Sequence, residues 1–315
     1  MLPLESVPNV SEGRDRRVVD DIARAYASSG ARVVDTHADP DHHRAVHTLL
    51  GDDDRLIEAL VAGIAVARDL IDLRRHDGIH PRIGAADVVP LVPLVASDMP
   101  RARAAAEALG ERVGRELGLP VFLYGESGGG RRPAFFRRGG PAELQRRIDS
   151  GELSPDFGPA VLDERAGGVL IGARAPLAAF NLLLDTDDAT IAGEIARAVR
   201  ASGGGLPGVQ AIGLLLGSSG RAQVSMNVID LDAAPLHRVV ERVVAEAVQH
   251  GVEVLEGELV GLVFARVVVG AARAAGVETE ACADGVPGAA ALAAAARLLR
   301  LPELSADRVV ESHLL

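Results

Sequence analysis

Residues 176–262, PLAAFNLLLDTDDATIAGEIARAVRASGGGLPGVQAIGLLLGSSGRAQVSMNVIDLDAAPLHRVVERVVAEAVQHGVEVLEGELVGL, decide the fold. PLAAFNLLLD (176–185) reads as a strand. DDATIAGEIARAVRASG (187–203) has acidic caps in front, apolar residues at helical spacing and glycine behind, so it predicts a helix. VQAIGLLL (209–216) and AQVSMNVID (222–230) are strands split by the turn-forming GSSGR. PLHRVVERVVAEAVQHG (235–251) is a helix with proline near its first turn and glycine at its end. VEVLEGELVGL (252–262) is the last strand. The order is β-α-β-β-α-β, the split βαβ pattern of ferredoxin-like domains.

The first half repeats this order. LESVPNV (4–10) is a strand, and 15–29 carries apolar residues at Val18, Val19, Ile22, Ala23 and Tyr26, with Gly30 as helix stop. ARVVDTHA (31–38) and HRAVHTLLG (43–51) are strands joined by the turn-rich DPDH. A helix over 53–71, capped by Asp52 or Asp53, precedes the strand DVVPLVPLV (87–95). A helix over 99–117 and the strand LPVFLYG (119–125) are additions to the pattern. The expected fold is α+β: two ferredoxin-like (βαββαβ) subdomains, 1–172 and 173–264, each a sheet with helices on one face, then an alanine-rich helical extension over 265–315. The irregular stretch 126–160, rich in glycine, proline and arginine, reads as a loop over a site.

Composition narrows the functions. A hydrophobic fraction of 48 % in 315 residues supports a sizeable core. A net charge of −11 argues against nucleic acid as the main partner. All 33 basic residues are arginine, which excludes Schiff-base lysine chemistry and a P-loop lysine. Anionic substrates therefore fall to arginine, backbone amides or helix N-termini. No apolar run is long enough for a membrane span, and the first residues do not read as a secretory signal, so a cytoplasmic protein is expected. The single cysteine, Cys282, excludes an internal disulfide and a cysteine metal cluster.

Several clusters are candidates for chemistry. IDLRRHDGIHPRIGAADVVPL (71–91) packs His76, His80, Asp77, Arg74, Arg75 and Arg82 into a loop that Gly78 and Pro81 keep from being helical. It reads either as a solvated loop or as an anion-binding catalytic loop with an imidazole titrating near neutrality. HADPDHHRAVH (37–47) holds His37, Asp39, Asp41, His42, His43 and His47; without an HExxH-type spacing it reads as a polar turn, and no metal is expected. GESGG (125–129) matches G-x-S-x-G around Ser127, but the glycine-rich continuation cannot start the helix that a nucleophile elbow needs. SGGGLPG (202–208) follows a helix and reads as a cap and linker rather than a phosphate loop. The arginines of RRPAFFRR (131–138) flank two phenylalanines, a composition suited to a stacked, carboxylate-bearing ligand. Asn181 and the alternating trio Gln223, Ser225 and Asn227 put a polar row on predicted central strands.

Taken together, VPNVSEG (7–13), HRAVHTLLG (43–51), IDLRRHDGIHPRIGAADVVPLVP (71–93), LGLPVFLYGE (117–126), PDFGP (155–159), GARAPLAAFN (172–181), VQAIGLLL (209–216), AQVSMN (222–227) and ELVGLV (258–263) resemble the formiminotransferase domain of glutamate formimidoyltransferase and of formiminotransferase-cyclodeaminase. The resemblance implies two sheets facing one another across a folate-binding groove, and a homodimer. It implies transfer of a formimino group from N-formimino-L-glutamate to N5 of tetrahydrofolate, giving 5-formiminotetrahydrofolate and L-glutamate, with tetrahydrofolate as co-substrate. It makes His80 the catalytic residue. It assigns folate contact to Gly158, Pro159, Ala160, Val161, Leu162, Asp163, Glu164, Arg165, Ala166 and Gly167. His37, where some relatives carry an acid, and Asp39 two residues on are expected at the substrates, with Arg82, Asn181, Gln223 and Asn227. The residues alone leave open a folate-binding module without the chemistry, a formyl-group transferase, and a serine hydrolase at Ser127.

Overall fold

The computed structural model describes residues 2–279 and 285–314, so Cys282 lies outside the described residues. The chain divides into two compact units, Met1–Pro176 and Leu177–Leu315. Both are mixtures of helices and one sheet.

The first unit runs β1 (Leu4–Ser6), β2 (Asn9–Val10), α1 (Arg16–Ser28), β3 (Arg32–Asp39), β4 (Arg44–Gly51), α2 (Asp53–Leu70), β5 (Ala86–Pro93), α3 (Met99–Arg112), β6 (Val121–Gly125), α4 (Pro133–Arg137), α5 (Gly140–Asp149) and β7 (Val169–Ala173). The stretch read as one strand over 4–10 is two, because Pro8 has no N–H for the ladder; its carbonyl instead takes the His47 amide at 3.0 Å. Together β1 and β2 lie between β4 and β5, antiparallel to both. The β3–β4 hairpin forms one side of the sheet, with Asp39 opposite Arg44. On the other side β7 runs parallel to β5, and β6 parallel to β7. All eight residues of β5 are buried, as expected of a strand covered on both faces.

The helices form for local reasons. Asp15 caps α1 by accepting from the Arg17 amide, and Asp52 caps α2 by accepting from Arg55. Asp53 and Asp54 add negative charge to the first turn of α2, where the helix dipole favours it. The two helices approach closely at Gly63, where an added Cβ would stand 2.0 Å from the Tyr26 ring. The helix expected over 99–117 is α3 followed by a wider π-helical turn, Val113–Leu117. One core packs α1, α2 and α3 on the sheet through Ile22, Leu60, Leu109 and Val89. A second, smaller core sets Phe136 of α4 and Leu144 and Ile148 of α5 against Phe122, Tyr124 and Leu170.

The second unit runs β8 (Ala178–Leu184), α6 (Ala189–Val199), β9 (Val209–Leu215), β10 (Ala222–Val228), α7 (Leu236–Gln249), β11 (Val254–Val260), α8 (Ala265–Ala274) and α9 (Ala289–Leu298). Its four strands lie in the order β11-β8-β10-β9, antiparallel throughout. Phe180, Leu182, Val224 and Met226 turn to the core with Ile195, Val239 and Val243. Val268, Ala295, Leu299 and Val309 belong to the same core, so the chain beyond 264 packs into this unit. Val263 is tied to it by backbone bonds to Arg308 and Val310. Among the described residues, no helix is long and apolar enough to cross a membrane.

Candidate functional site

The loop between α2 and β5 has little regular structure of its own, and its shape is held from outside. Asp87, 2 % exposed, accepts from the Ile83 amide at 2.7 Å. Ser11 Oγ donates to the Gly84 carbonyl at 2.7 Å. Gly84 forms a bridge with Gly167, and the Ala85 amide donates to Ala166 O at 2.8 Å. Arg82 folds back across the loop, donating to Gly78 O at 3.0 Å and to His80 O. It also contacts the His76 ring, which stacks on His43 at 4.0 Å between centroids.

Within this frame the His80 ring has a defined environment. Its Nδ1 lies 2.8 Å from Pro81 O. Nη1 of Arg44 stands 2.6 Å from Nδ1 and 2.9 Å from Nε2. Arg44 is the first residue of β4, and its Nε donates to Asn9 Oδ1 at 2.8 Å. Burial, then the charges of Arg44, Arg137 and His42, push His80 well below the ordinary imidazole range. A guanidinium can only donate, so the ring beside Arg44 is neutral and acts as an acceptor. Burial, and the nearby Arg137, also bring Arg44 down to about 9, and burial brings Arg82 to about 10. Arg137 is ion-paired with Asp87, so three guanidinium groups share the surroundings of one buried carboxylate. Such a cluster suits a carboxylate-bearing ligand.

Beside His80 lies a second imidazole. The rings of His42 and His80 are 6.1 Å apart between centroids and edge-on at 88°. His42 Nδ1 is hydrogen-bonded to Asp39, whose other oxygen accepts from the amides of Asp41 at 2.8 Å and His42 at 2.9 Å. Burial alone would raise Asp39, but the bonds and charge from His42 win, and its carboxyl lies below the ordinary range.

The structure brings several expected residues together. His80, Arg82 and Asp39 belong to this cluster. The segment from Gly158 to Gly167 reaches it by main chain: Leu73 N donates to Arg165 O at 2.8 Å and Ala85 N to Ala166 O at 2.8 Å. In that segment Gly158, Pro159, Ala160, Val161, Asp163, Glu164 and Arg165 are exposed, Leu162 is half-buried, and Ala166 and Gly167 are buried. Asp163 closes its turn by accepting from the amides of Arg165 and Ala166. His37 lies on β3, half-buried, opposite Val46. Asn181, Gln223 and Asn227 lie in the second unit, on the sheet face away from its core. There Asn181 donates to Glu258 at 2.8 Å and Gln223 contacts the same carboxylate at 3.5 Å, while Asn227 is exposed. Ser127 Oγ accepts from the Ala173 amide at 3.2 Å, and no helix directly follows β6, so the nucleophile-elbow geometry is not formed. Among the described residues, no group of three or more His, Cys, Asp or Glu is arranged to hold a metal ion.

Arg44, Asp87 and Asn9 went unrecognised in the sequence. A basic residue opening a buried strand, as Arg44 opens β4, and a lone acid opening an all-buried run, as Asp87 does near the start of β5, were the available signals.

Known proteins resemble the chain along most of its length. Residues 3–174 match the model of the formiminotransferase domain, N-terminal subdomain, and 179–281 that of the formiminotransferase domain. A glutamate formimidoyltransferase of Thermoplasma acidophilum is 41 % identical over 268 residues, covering 82 % of this chain and 88 % of the relative. One of Streptococcus pyogenes is 38 % identical over 272 residues, covering 84 % and 90 %. The formimidoyltransferase-cyclodeaminase of Sus scrofa is 38 % identical over 280 residues, covering 85 % of this chain and 51 % of the relative.

Proposed function

The chain belongs to the formiminotransferase family, and on that premise we propose that it moves the formimino group of N-formimino-L-glutamate to N5 of tetrahydrofolate with His80 as the proton-transfer residue. N5 attacks the amidine carbon and loses its proton. The tetrahedral intermediate collapses, the bond to the glutamate nitrogen breaks, and that nitrogen gains a proton. The products are 5-formiminotetrahydrofolate and L-glutamate. The observation that carries the role of His80 is its half-buried, neutral ring in a cationic setting. A neutral imidazole is ready to accept a proton from N5, and positioned acid–base catalysis is worth roughly 10²–10⁴ in rate. Holding both substrates in one site supplies much of the rest.

Arg82, with Arg137 nearby, is suited to the carboxylates of glutamate or of the folate tail. The backbone of Gly158–Gly167 is assigned to folate, supported by its bonds to the His80 loop. His37 is assigned to substrate contact by the resemblance, and Asn181, Gln223 and Asn227 by their polar row on the sheet face away from the core. The strand order β11-β8-β10-β9 favours a ferredoxin-like arrangement in the second unit, and the order β3-β4-β1/β2-β5 favours the same in the first, extended by β7 and β6. A cytoplasmic homodimer completes the proposal, its oligomeric part testable by sedimentation. His80→Ala is expected to lower formimino transfer by about 10²-fold or more while tetrahydrofolate still binds. Near-native turnover in that variant would remove His80 from the mechanism.

A further inference from the structure

The reaction moves protons at two nitrogens, one losing and one gaining. The His80 ring is neutral and so free to accept a proton, but with Arg44 facing it the ring is poorly built to hold one ready for delivery. A donor is served by a different setting, a carboxylate that holds one ring N–H and so turns the other nitrogen outward. His42 has that setting. Its Nδ1 proton is directed at Asp39, and the carboxylate is fixed in turn by two backbone amides. The ring is 7 % exposed, and its Nε2 is buried with no hydrogen-bond partner. A buried polar atom left unpaired is costly, and a catalytic role is one physical reason for keeping it.

We propose that Asp39 and His42 form a second proton carrier beside His80, so that His80 accepts the proton of N5 while the His42 imidazolium supplies the departing glutamate nitrogen. This rests on the formimino-transfer reading and deepens it. The balance closes within the pair. C–N5 forms and the N5 proton goes to His80; C–N(glutamate) breaks and that nitrogen takes the proton of His42 Nε2. The proton on His80 then returns to His42 through one water between the edge-on rings, and both rings are restored. The other charged groups around the rings are Arg44 from β4, Arg82 from the loop, Asp87 from β5 and Arg137 from α4. Neither Asp39 nor His42 requires a metal for this role.

The test is steady-state transfer by the full chain from N-formimino-L-glutamate to tetrahydrofolate across pH. His42→Gln is expected to lower kcat by about 10²-fold with little change in KM, and to lose the alkaline limb of the kcat profile. Asp39→Asn keeps the ring but withdraws its stabilising charge, so the alkaline limb is expected to move to lower pH. A folded His42→Gln protein with native kcat and native profile overturns the proposal. Should His42→Gln fail to fold, an unmoved alkaline limb in Asp39→Asn overturns it equally. If the unaltered chain transfers no formimino group, the assignment of the reaction falls and the dyad falls with it. If the unaltered chain is active and both variants match it, only the dyad falls.

Discussion

Asp87 and Arg137 form an ion pair in which the carboxylate side chain is 3 % exposed and the guanidinium 13 %, and the same carboxylate holds the Ile83 amide at 2.7 Å. One buried acid thus joins α4 to the loop that carries His80. Arg44, against the His80 ring, and Arg82, on the same loop, are half-buried and have no carboxylate bonded to them among the described residues. The fold places an excess of positive charge where a dianionic substrate would bring the opposite sign.

Breaking that pair from one side is expected to be expensive. Asp87→Asn keeps an acceptor for Ile83 but leaves the Arg137 charge uncompensated, at a cost of about 3–5 kcal/mol. Urea unfolding measures it. The double variant Asp87→Asn, Arg137→Gln is expected to be less destabilised than the two single changes summed, because the stranded charge is gone. Strict additivity would mean that the pair is energetically independent.

Acid is expected to weaken the first unit through His47. This imidazole is fully buried against Tyr26, with Thr36 Oγ1 3.1 Å from its Nδ1. Burial, and then Arg16, lower it from 6.5 to about 4. The unfolded chain therefore binds a proton at this position before the folded one does. Stability from this group is complete above about pH 6.5 and falls as pH drops toward 4, a change of about 3 kcal/mol. His47→Leu is expected to flatten that part of the stability–pH curve. A curve equally steep in the variant would place the acid sensitivity elsewhere, and His80, shifted in the same direction, is the next group to examine.

Gly167 joins the folate-assigned segment to the His80 loop, and the position demands glycine. Its φ is +71°, and an added Cβ would stand 2.0 Å from the Ile83 carbonyl. Gly118 has a similar φ of +65° but open space around it. Gly118→Ala is expected to cost about 1–2 kcal/mol, the left-handed strain alone. Gly167→Ala adds a clash with backbone, so it should cost more and weaken tetrahydrofolate binding as the two segments separate. Equal losses in the two variants, read by chemical denaturation, would show that the close approach to Ile83 is not maintained in solution.

The second unit was largely legible because its cues are local. Asp188 caps α6, alternation marks Val224 and Met226 as core, and glycine-bearing turns separate the strands. The first unit was less so. Pro8 splits a strand whose two pieces stay in the same ladder, and α3 ends in a widened turn that no propensity signals. At the site, His80 stood out because charge is dense in a loop that glycine and proline keep irregular. Arg44 did not, since its role depends on hairpin register and on a contact with a ring 36 positions away. His42 was visible as a histidine, but its pairing with Asp39 arises from the turn closing back on itself, which composition does not encode.

Arg44 offers the sharpest test of how the site sets its pH range. After burial, its charge is the largest influence holding His80 low, followed by Arg137 and His42. Removing a cation beside an imidazole makes protonation easier, so His80 in Arg44→Gln should titrate closer to the ordinary value of about 6.5. The proposed mechanism needs a neutral base, so activity should fall once His80 is protonated. The acid limb of kcat/KM is therefore expected to move to higher pH, and NMR titration of the ring should move with it. Arg137→Gln, more distant and already paired with Asp87, should move the limb less. A limb unmoved by either change would assign the low value to burial alone and leave Arg44 only its hydrogen bonds to Asn9 and the ring.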